Sequence, residues 1–284
     1  MSEPTMMTAR GDGVTIQLAE WGKQGKPVLC IHGITANCRC WDVVASTLAS
    51  DYRVFAMDLR GRGGSEKPVS GYSVDQHCRD IVSLLDDLGL ERPMIIGHSL
   101  GAFIALAFAA LYPDKVDRAV LFDGGGDLSA EQMAKVFAGI KPALDRLGKV
   151  FPSAEAYIDL MKRAPYLQPW SPALETYCRY ELEEIEGGVK TNIDPLHIQE
   201  EAMNLGKMKA DSFYRRIGCK TLILRATKGL LAEDDILLPE TVVEKMMREI
   251  PDARRVDIPG TNHYSILFQP SPLRDKALTS FLKE

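Results

Sequence analysis

No apolar stretch in this chain runs uninterrupted for long enough to span a bilayer, so no membrane-spanning helix is expected. The N-terminal "MSEPTMMTARGDG" lacks a basic region followed by an apolar core, and no secretory leader is expected from it. Cysteines at metal or redox spacing are missing too. Cys30, Cys38, Cys40, Cys78, Cys178 and Cys219 are scattered, several within apolar segments, as reduced buried thiols are. That pattern predicts a cytoplasmic protein without structural disulfides, metal or organic cofactor. Positive charge is not in excess: 34 Lys and Arg stand against 39 Asp and Glu, a formal net charge of -5. Neither nucleic acid nor a membrane is expected as a partner on electrostatic grounds. Repeats and low-complexity tracts are absent, and the sequence says nothing about oligomeric state.

What is present is an alternation of short apolar runs with amphipathic segments. "KPVLCIHG", "YRVFAMD", "MIIGHS" and "VDRAVLFDGGG" read as buried strands. Between them, "NCRCWDVVASTLAS", "SVDQHCRDIVSLLDDLGL" and "LGAFIALAFAALYP" read as helices, the second with Ser73 as N-cap. Residues flanking "GDG" near the N-terminus predict an antiparallel hairpin at one edge. The alternation predicts an α/β fold with a mainly parallel sheet covered on both faces. From about Asp127 to Arg215 the strands stop, and the segment reads as helices separated by Pro- or Gly-containing turns. The rhythm resumes with "CKTLILRAT", a helix near Pro239, the strand "ARRVDIPG" and a last helix from about Pro272. The expected organisation is a core of residues 1–126 and 213–284, interrupted by a helical cap at 127–212. Such a cap covers the carboxyl ends of the strands, where ligands bind in open α/β sheets.

The chemistry is expected at Gly97-x-Ser99-x-Gly101, between a strand and a helix. A sharp strand-to-helix turn exposes the middle side chain, and flanking glycines remove Cβ atoms that would strike neighbouring backbone. The amide end of the helix beginning at Leu100 points toward that side chain. Serine is a weak nucleophile at its free pKa and requires a base. His263, just past the last strand, is the expected one; His77 lies on a predicted helix and His197 in the insertion. The backbone amides of Ile34, in the loop after "IHG", and of Leu100 are the expected oxyanion donors.

"IHGITANCRCW", "DLRGRGGSEKP", "GHSLGA" and "PGTNHYSILF" occur in an order and spacing that resembles the α/β-hydrolase superfamily over essentially the whole chain. The resemblance implies an eight-stranded, mostly parallel sheet, a cap after the sixth strand and an acyl-transfer site with Ser-acid-His in chain order. One departure is Arg62, where many relatives carry histidine. The acid is open between two residues. Superfamily members usually take it from the loop after the seventh strand, where Gly229 stands at the usual position and Asp235 follows an apparent insertion. Asp123, at the end of the sixth strand, is the other choice and the favoured one.

The expected reaction is cleavage of a small-molecule carboxylic ester through an acyl-enzyme on Ser99. Amide, lactone or carbon–carbon bond hydrolysis with the same residues is the alternative, and a non-catalytic ligand receptor the remote one. Dehalogenase and epoxide-hydrolase chemistry is disfavoured, because those relatives carry aspartate where Ser99 stands. "HGIT" and a sixth-strand acid also resemble hydrolases of acylated aminomethylene-succinates, but the cap differs and that substrate is not adopted. Substrate contacts are expected from His32, Gly33, His98 and Trp170. Tyr166, Tyr177, Phe137, Met133 and Met161 serve either an acyl pocket or the cap's own core. Arg39 and Arg179 are weaker expectations as partners of a substrate carboxylate.

Overall fold

A computed structural model describes residues 3–284; the first two residues of the N-terminal stretch read for a leader lie outside the described residues. Eight strands form the main sheet: β1 (Thr5–Arg10), β2 (Thr15–Trp21), β3 (Lys26–Ile31), β4 (Tyr52–Met57), β5 (Met94–His98), β6 (Arg118–Phe122), β10 (Lys220–Ala226) and β11 (Ala253–Ile258). Their order is β1-β2-β4-β3-β5-β6-β10-β11. β1 and β2 form the expected antiparallel edge hairpin, β2 runs antiparallel to β4, and the remaining pairs are parallel.

Strand side chains alternate between two apolar layers, as the period of two requires. Leu29, Phe55, Ile95 and Ile223 face one layer, with α2 (Val74–Leu88), α3 (Leu100–Leu111) and α9 (Glu240–Glu249). Val28, Val54, Ile96 and Leu222 face the other, with α1 (Asp42–Leu48), α10 (Ser265–Phe268) and α11 (Pro272–Lys283). The Ser73 hydroxyl accepts from the Gln76 amide to start α2, and Gly89 ends it at φ 65°. The helix α3 is buried almost all round, which explains its lack of a polar face.

The chain leaves the sheet after β6 and returns at β10, its neighbour in the sheet. Between them lie α4 (Ala130–Asp145), α5 (Ala154–Lys162), α6 (Pro172–Tyr180), α7 (Pro195–Leu205) and the short α8 (Asp211–Tyr214). The expectation of a strand-free segment is corrected here. β7 (Val150–Phe151), β8 (Leu182–Ile185) and β9 (Gly188–Thr191) form a small antiparallel sheet in the order β7-β9-β8. The helix α6 therefore stops at Tyr180, and Leu182–Ile185 continues as strand. Gly187 and Gly188, at φ 89° and 146°, make the tight β8–β9 turn.

Buried polar contacts fasten this insertion to the core. Arg62, the departure noted in the sequence, places Nη2 3.0 Å from Oε2 of Glu201 on α7. His77 on α2 reaches the same oxygen at 2.7 Å, and all three side chains are sealed from solvent. One residue earlier, Glu200 accepts from the amides of Gly71 and Tyr72 at 2.9 and 3.0 Å. At the far end of α6, the Tyr180 hydroxyl donates to Asp58 at 2.7 Å.

Candidate active site

Ser99 lies between the end of β5 and the start of α3 with φ 55° and ψ −119°. Among the described residues, Ser99 and Asp123 are the non-glycine positions with positive φ. Each such conformation costs about 1–3 kcal/mol and persists only where its surroundings over-determine it. Here they do. The Ser99 amide donates to the Phe122 carbonyl at 3.1 Å, and the Asp123 amide donates to the Leu224 carbonyl at 2.8 Å. A Cβ on Gly97 would lie 2.0 Å from the Gly101 carbonyl oxygen, and one on Gly101 would lie 2.0 Å from that of Ile31. Glycine at both positions is thus a requirement of close backbone approach.

Asp123 ends β6 with its carboxylate split between two partners. Its Oδ1 accepts from the Ala226 amide at 3.0 Å, and its Oδ2 lies 2.8 Å from Nδ1 of His263. A carboxylate only accepts, so Nδ1 carries the proton and Nε2 is left as the basic nitrogen. Asp235 is turned elsewhere. Its Oδ1 accepts from Leu230 at 2.6 Å, and its Oδ2 accepts from Leu231 at 2.8 Å and Ala232 at 3.1 Å. The loop is closed around that carboxylate so tightly that a Cβ on Gly229 would sit 2.0 Å from Asp235 Oδ1.

The His98 and His263 rings pack with centroids 4.2 Å apart, tilted by 33°. His98 Nε2 donates to the His263 carbonyl at 2.9 Å, a bond that fixes the backbone carrying the His263 ring. Burial, reinforced by His263, pushes the His98 imidazole well below its ordinary range, so it stays neutral in that contact. Asn262 holds the other side. Its side-chain oxygen accepts from the amides of Tyr264 and Ser265 at 3.0 and 2.8 Å, and its amide nitrogen donates to Tyr166 of the insertion at 3.1 Å.

Two cavities meet at Ser99. One, of about 40 Å³, is lined by Ser99, Leu100, Phe103, Met133 and Phe137 among others. The second, of about 50 Å³, brings Ser99 together with His263, His98, Gly33, Tyr177 and Tyr264. Ile34, Val136, Ile140 and Leu237 belong to both. Gly33 passes so close that a Cβ on it would lie 3.1 Å from that of Ser99, which brings the Gly33–Ile34 backbone beside Ser99. Leu100 opens α3, so its amide has no carbonyl four residues back to bond.

Other expected contacts are placed elsewhere. His32 is fully buried, its Nδ1 2.7 Å from the Gly33 carbonyl and its Nε2 accepting from Leu59 at 3.0 Å. It shapes the loop and has no ring nitrogen left for a ligand. Trp170 lines a separate surface depression with Arg179, under Lys162. Arg179 pairs with Glu155 and Glu175, and Arg39 with Asp42 and Glu3, so both guanidinium groups are committed. Tyr166 packs against Tyr264 with its ring tilted by 40°, and Met161 is buried in the apolar layer below. Sequence reasoning missed Arg146, which donates to the Thr35 carbonyl at 3.1 Å and pairs with Glu181 at 2.6 Å behind the second cavity. Its partner lies 35 residues away, and no local pattern joins the two.

A family model described as the alpha/beta hydrolase fold matches residues 26–270. A 2-(acetamidomethylene)succinate hydrolase from Mesorhizobium japonicum is 28% identical over 269 residues, covering 95% of this chain and 92% of that protein. A 3-hydroxybutyrate-oligomer hydrolase from Cupriavidus necator is 26% identical, covering 89% of this chain and 88% of its own length. Among solved structures, an E-2-(acetamidomethylene)succinate hydrolase superposes with a TM-score of 0.83 at 26% identity, covering 99% of this chain and all of that one.

Proposed function

This chain belongs to the α/β-hydrolase family, and on that premise we propose that it is a serine hydrolase of carboxylic esters with an uncharged, apolar acyl group. The observation that carries the reading is the Asp123–His263 contact of 2.8 Å beside a cavity that His263 shares with Ser99. His263 Nε2 takes the Ser99 proton as Oγ attacks the ester carbonyl. The tetrahedral oxyanion is held by the amides of Ile34 and Leu100, each such donor worth about 3 kcal/mol in the transition state. His263 returns the proton to the departing alkoxide, and Ser99 is left acylated. Water then enters, gives its proton to His263 and releases the acid, restoring the serine. Asp123 keeps the imidazole in the required tautomer throughout. Residues 127–212 act as the cap that excludes bulk water.

The choice of an uncharged acyl group rests on the walls. Among the described residues lining the two cavities, none is cationic, and Asp123 is the acidic one. Arg146, behind Thr35, is neutralised by Glu181. A substrate carboxylate in either cavity would be desolvated without a counter-charge, which is costly. That separates this site from a dicarboxylate substrate of the kind named for the Mesorhizobium relative. Six free, buried cysteines support placing the enzyme in a reducing cytoplasm.

The test compares p-nitrophenyl butyrate, the hemisuccinate of the same phenol and butyryl p-nitroanilide, with Ser99→Ala in parallel. Butyrate turnover is expected to exceed that of the hemisuccinate at least tenfold and to vanish in the variant. Faster hemisuccinate turnover overturns the acyl assignment. Faster anilide turnover moves the reading to amides, the bond type suggested by the acetamido name of that relative.

A further inference from the structure

The cavity of about 40 Å³ beside Ser99 ends on a wall of five apolar side chains: Phe103 on α3, Leu128 just before α4, Met133 and Phe137 on α4, and Leu205 on α7. The same five line the inner side of a third cavity, about 430 Å³, which opens to the surface between α4 and α7. The two spaces are thus one apolar route interrupted by side chains, all five of them only half-buried. The inner space is small. At about 40 Å³ against about 430 Å³ for the outer cavity, it is much the narrower of the two.

We propose that the outer cavity is the distal acyl-chain site and that Met133, Phe137 and Leu205 set chain-length specificity. The substrate class is an ester of a linear aliphatic acid too long for the inner cavity, its chain crossing the wall and its end lying between α4 and α7. This rests on the reading of Ser99 as nucleophile and extends it. Three features select that occupant. The outer cavity backs onto the space beside Ser99 across a shared wall, that wall is apolar, and the inner cavities have no cation for a short charged acid. Asp127 and Lys209 are the charged residues of the outer cavity, and the Asp127 carboxylate is turned to Lys245 at 3.7 Å.

The two sides of the wall are held differently. Leu205 sits on the helix fastened by Glu200 and Glu201, whereas Met133 and Phe137, one turn apart, sit on the first half of α4, where Lys135 makes exposed pairs with Glu131 and Asp234 and the buried Arg146–Glu181 pair holds only the far end. The α4 side therefore yields to the chain, and methionine, unbranched and with three rotatable bonds, suits a wall that has to reshape.

The experiment measures kcat/KM for p-nitrophenyl esters from acetate to dodecanoate in wild type, Phe137→Ala and Ala134→Trp. Ala134 is exposed on α4 and lines only the outer cavity, so the indole fills that space from a position that tolerates bulk. In wild type each methylene from butyrate to decanoate is expected to raise kcat/KM about fourfold, the value of burying one CH₂. Ala134→Trp should lower the decanoate-to-butyrate ratio at least tenfold, and Phe137→Ala should raise it. A ratio within twofold of wild type in both variants overturns the chain site while leaving Ser99 catalysis intact. Should Ser99→Ala hydrolyse the esters as fast as wild type, the nucleophile reading fails instead. The chain site is then decided by calorimetric titration of decanoate into Ser99→Ala with and without Ala134→Trp. Weaker binding in the double variant supports it, and equal binding overturns it.

Discussion

Replacing Glu201 by glutamine removes the anion from the sealed cluster that joins α7 to the core. Its Oε2 receives both Arg62 at 3.0 Å and His77 at 2.7 Å, and the Arg62 guanidinium also lies over the Tyr72 ring at 5.5 Å. Burial alone would raise the Glu201 carboxyl; His77 and Arg62 outweigh it and hold it down at about 2. The gap between that value and the ordinary 4.5 is worth about 3 kcal/mol of stability at neutral pH. An independent argument gives a similar figure, since breaking a buried ion pair from one side costs about 3–5 kcal/mol. For a chain of this size that becomes a fall in Tm of about 6–15 °C, read by circular dichroism. The sign with pH follows from the direction of the shift. A carboxyl held below its unfolded value stabilises the fold above about pH 4.5, and that contribution is lost as pH falls toward 2. The wild-type stability curve should therefore steepen below pH 4.5, and Glu201→Gln should lack that share of the slope. A variant melting within 2 °C of wild type, with the same acid slope, would refute the reasoning.

Three further outcomes are expected. Asp123→Asn should lower kcat by about three to four orders of magnitude, because asparagine can present its amide to His263 and reverse the tautomer. Asp235→Asn should stay within tenfold of wild type and show its effect in stability, since that carboxylate serves the Leu230–Ala232 amides; steady-state kinetics of both variants checks the assignment. His32, pushed down by burial to about 3, has a folded value below its ordinary 6.5. Its neutral form stabilises the fold above pH 6.5, and about 1.4 kcal/mol is lost per pH unit as pH falls from there toward 3. Denaturant unfolding of His32→Gln should show a shallower acid slope, and identical slopes would count against it.

The architecture was legible because its strands announce themselves as short apolar runs and its helices by their apolar faces and caps, as at Ser73. Gly97 and Gly101 were legible for a similar reason: a tight turn at a strand end admits few residues. The small sheet of the insertion was not read, although Gly187-Gly188 after Leu182–Ile185 carries a hairpin signal. Alternation over four residues is too short to outweigh the helical segment before it. Spacing could not separate Asp123 from Asp235, because both follow strands that end near one another. What distinguishes them is where each carboxylate finds amides: Asp123 at the neighbouring strand, Asp235 within its own loop. The contacts fastening the insertion escaped for a different reason. Arg62 and Glu201 stand 139 residues apart, and only the folded chain pairs them. His32 was read as a ligand contact because its place in the loop beside Gly33 is evident in sequence, while the Leu59 amide that occupies its Nε2 is not.

The central claim is that Ser99 becomes covalently acylated with His263 as its base. The most direct measurement is peptide mass spectrometry after treating wild type, Ser99→Ala and His263→Ala with a fluorophosphonate that traps activated serines. The account predicts one adduct, on Ser99, absent in the first variant and slowed at least a hundredfold in the second. An adduct on another residue, or labelling of Ser99 at the wild-type rate without His263, would contradict it.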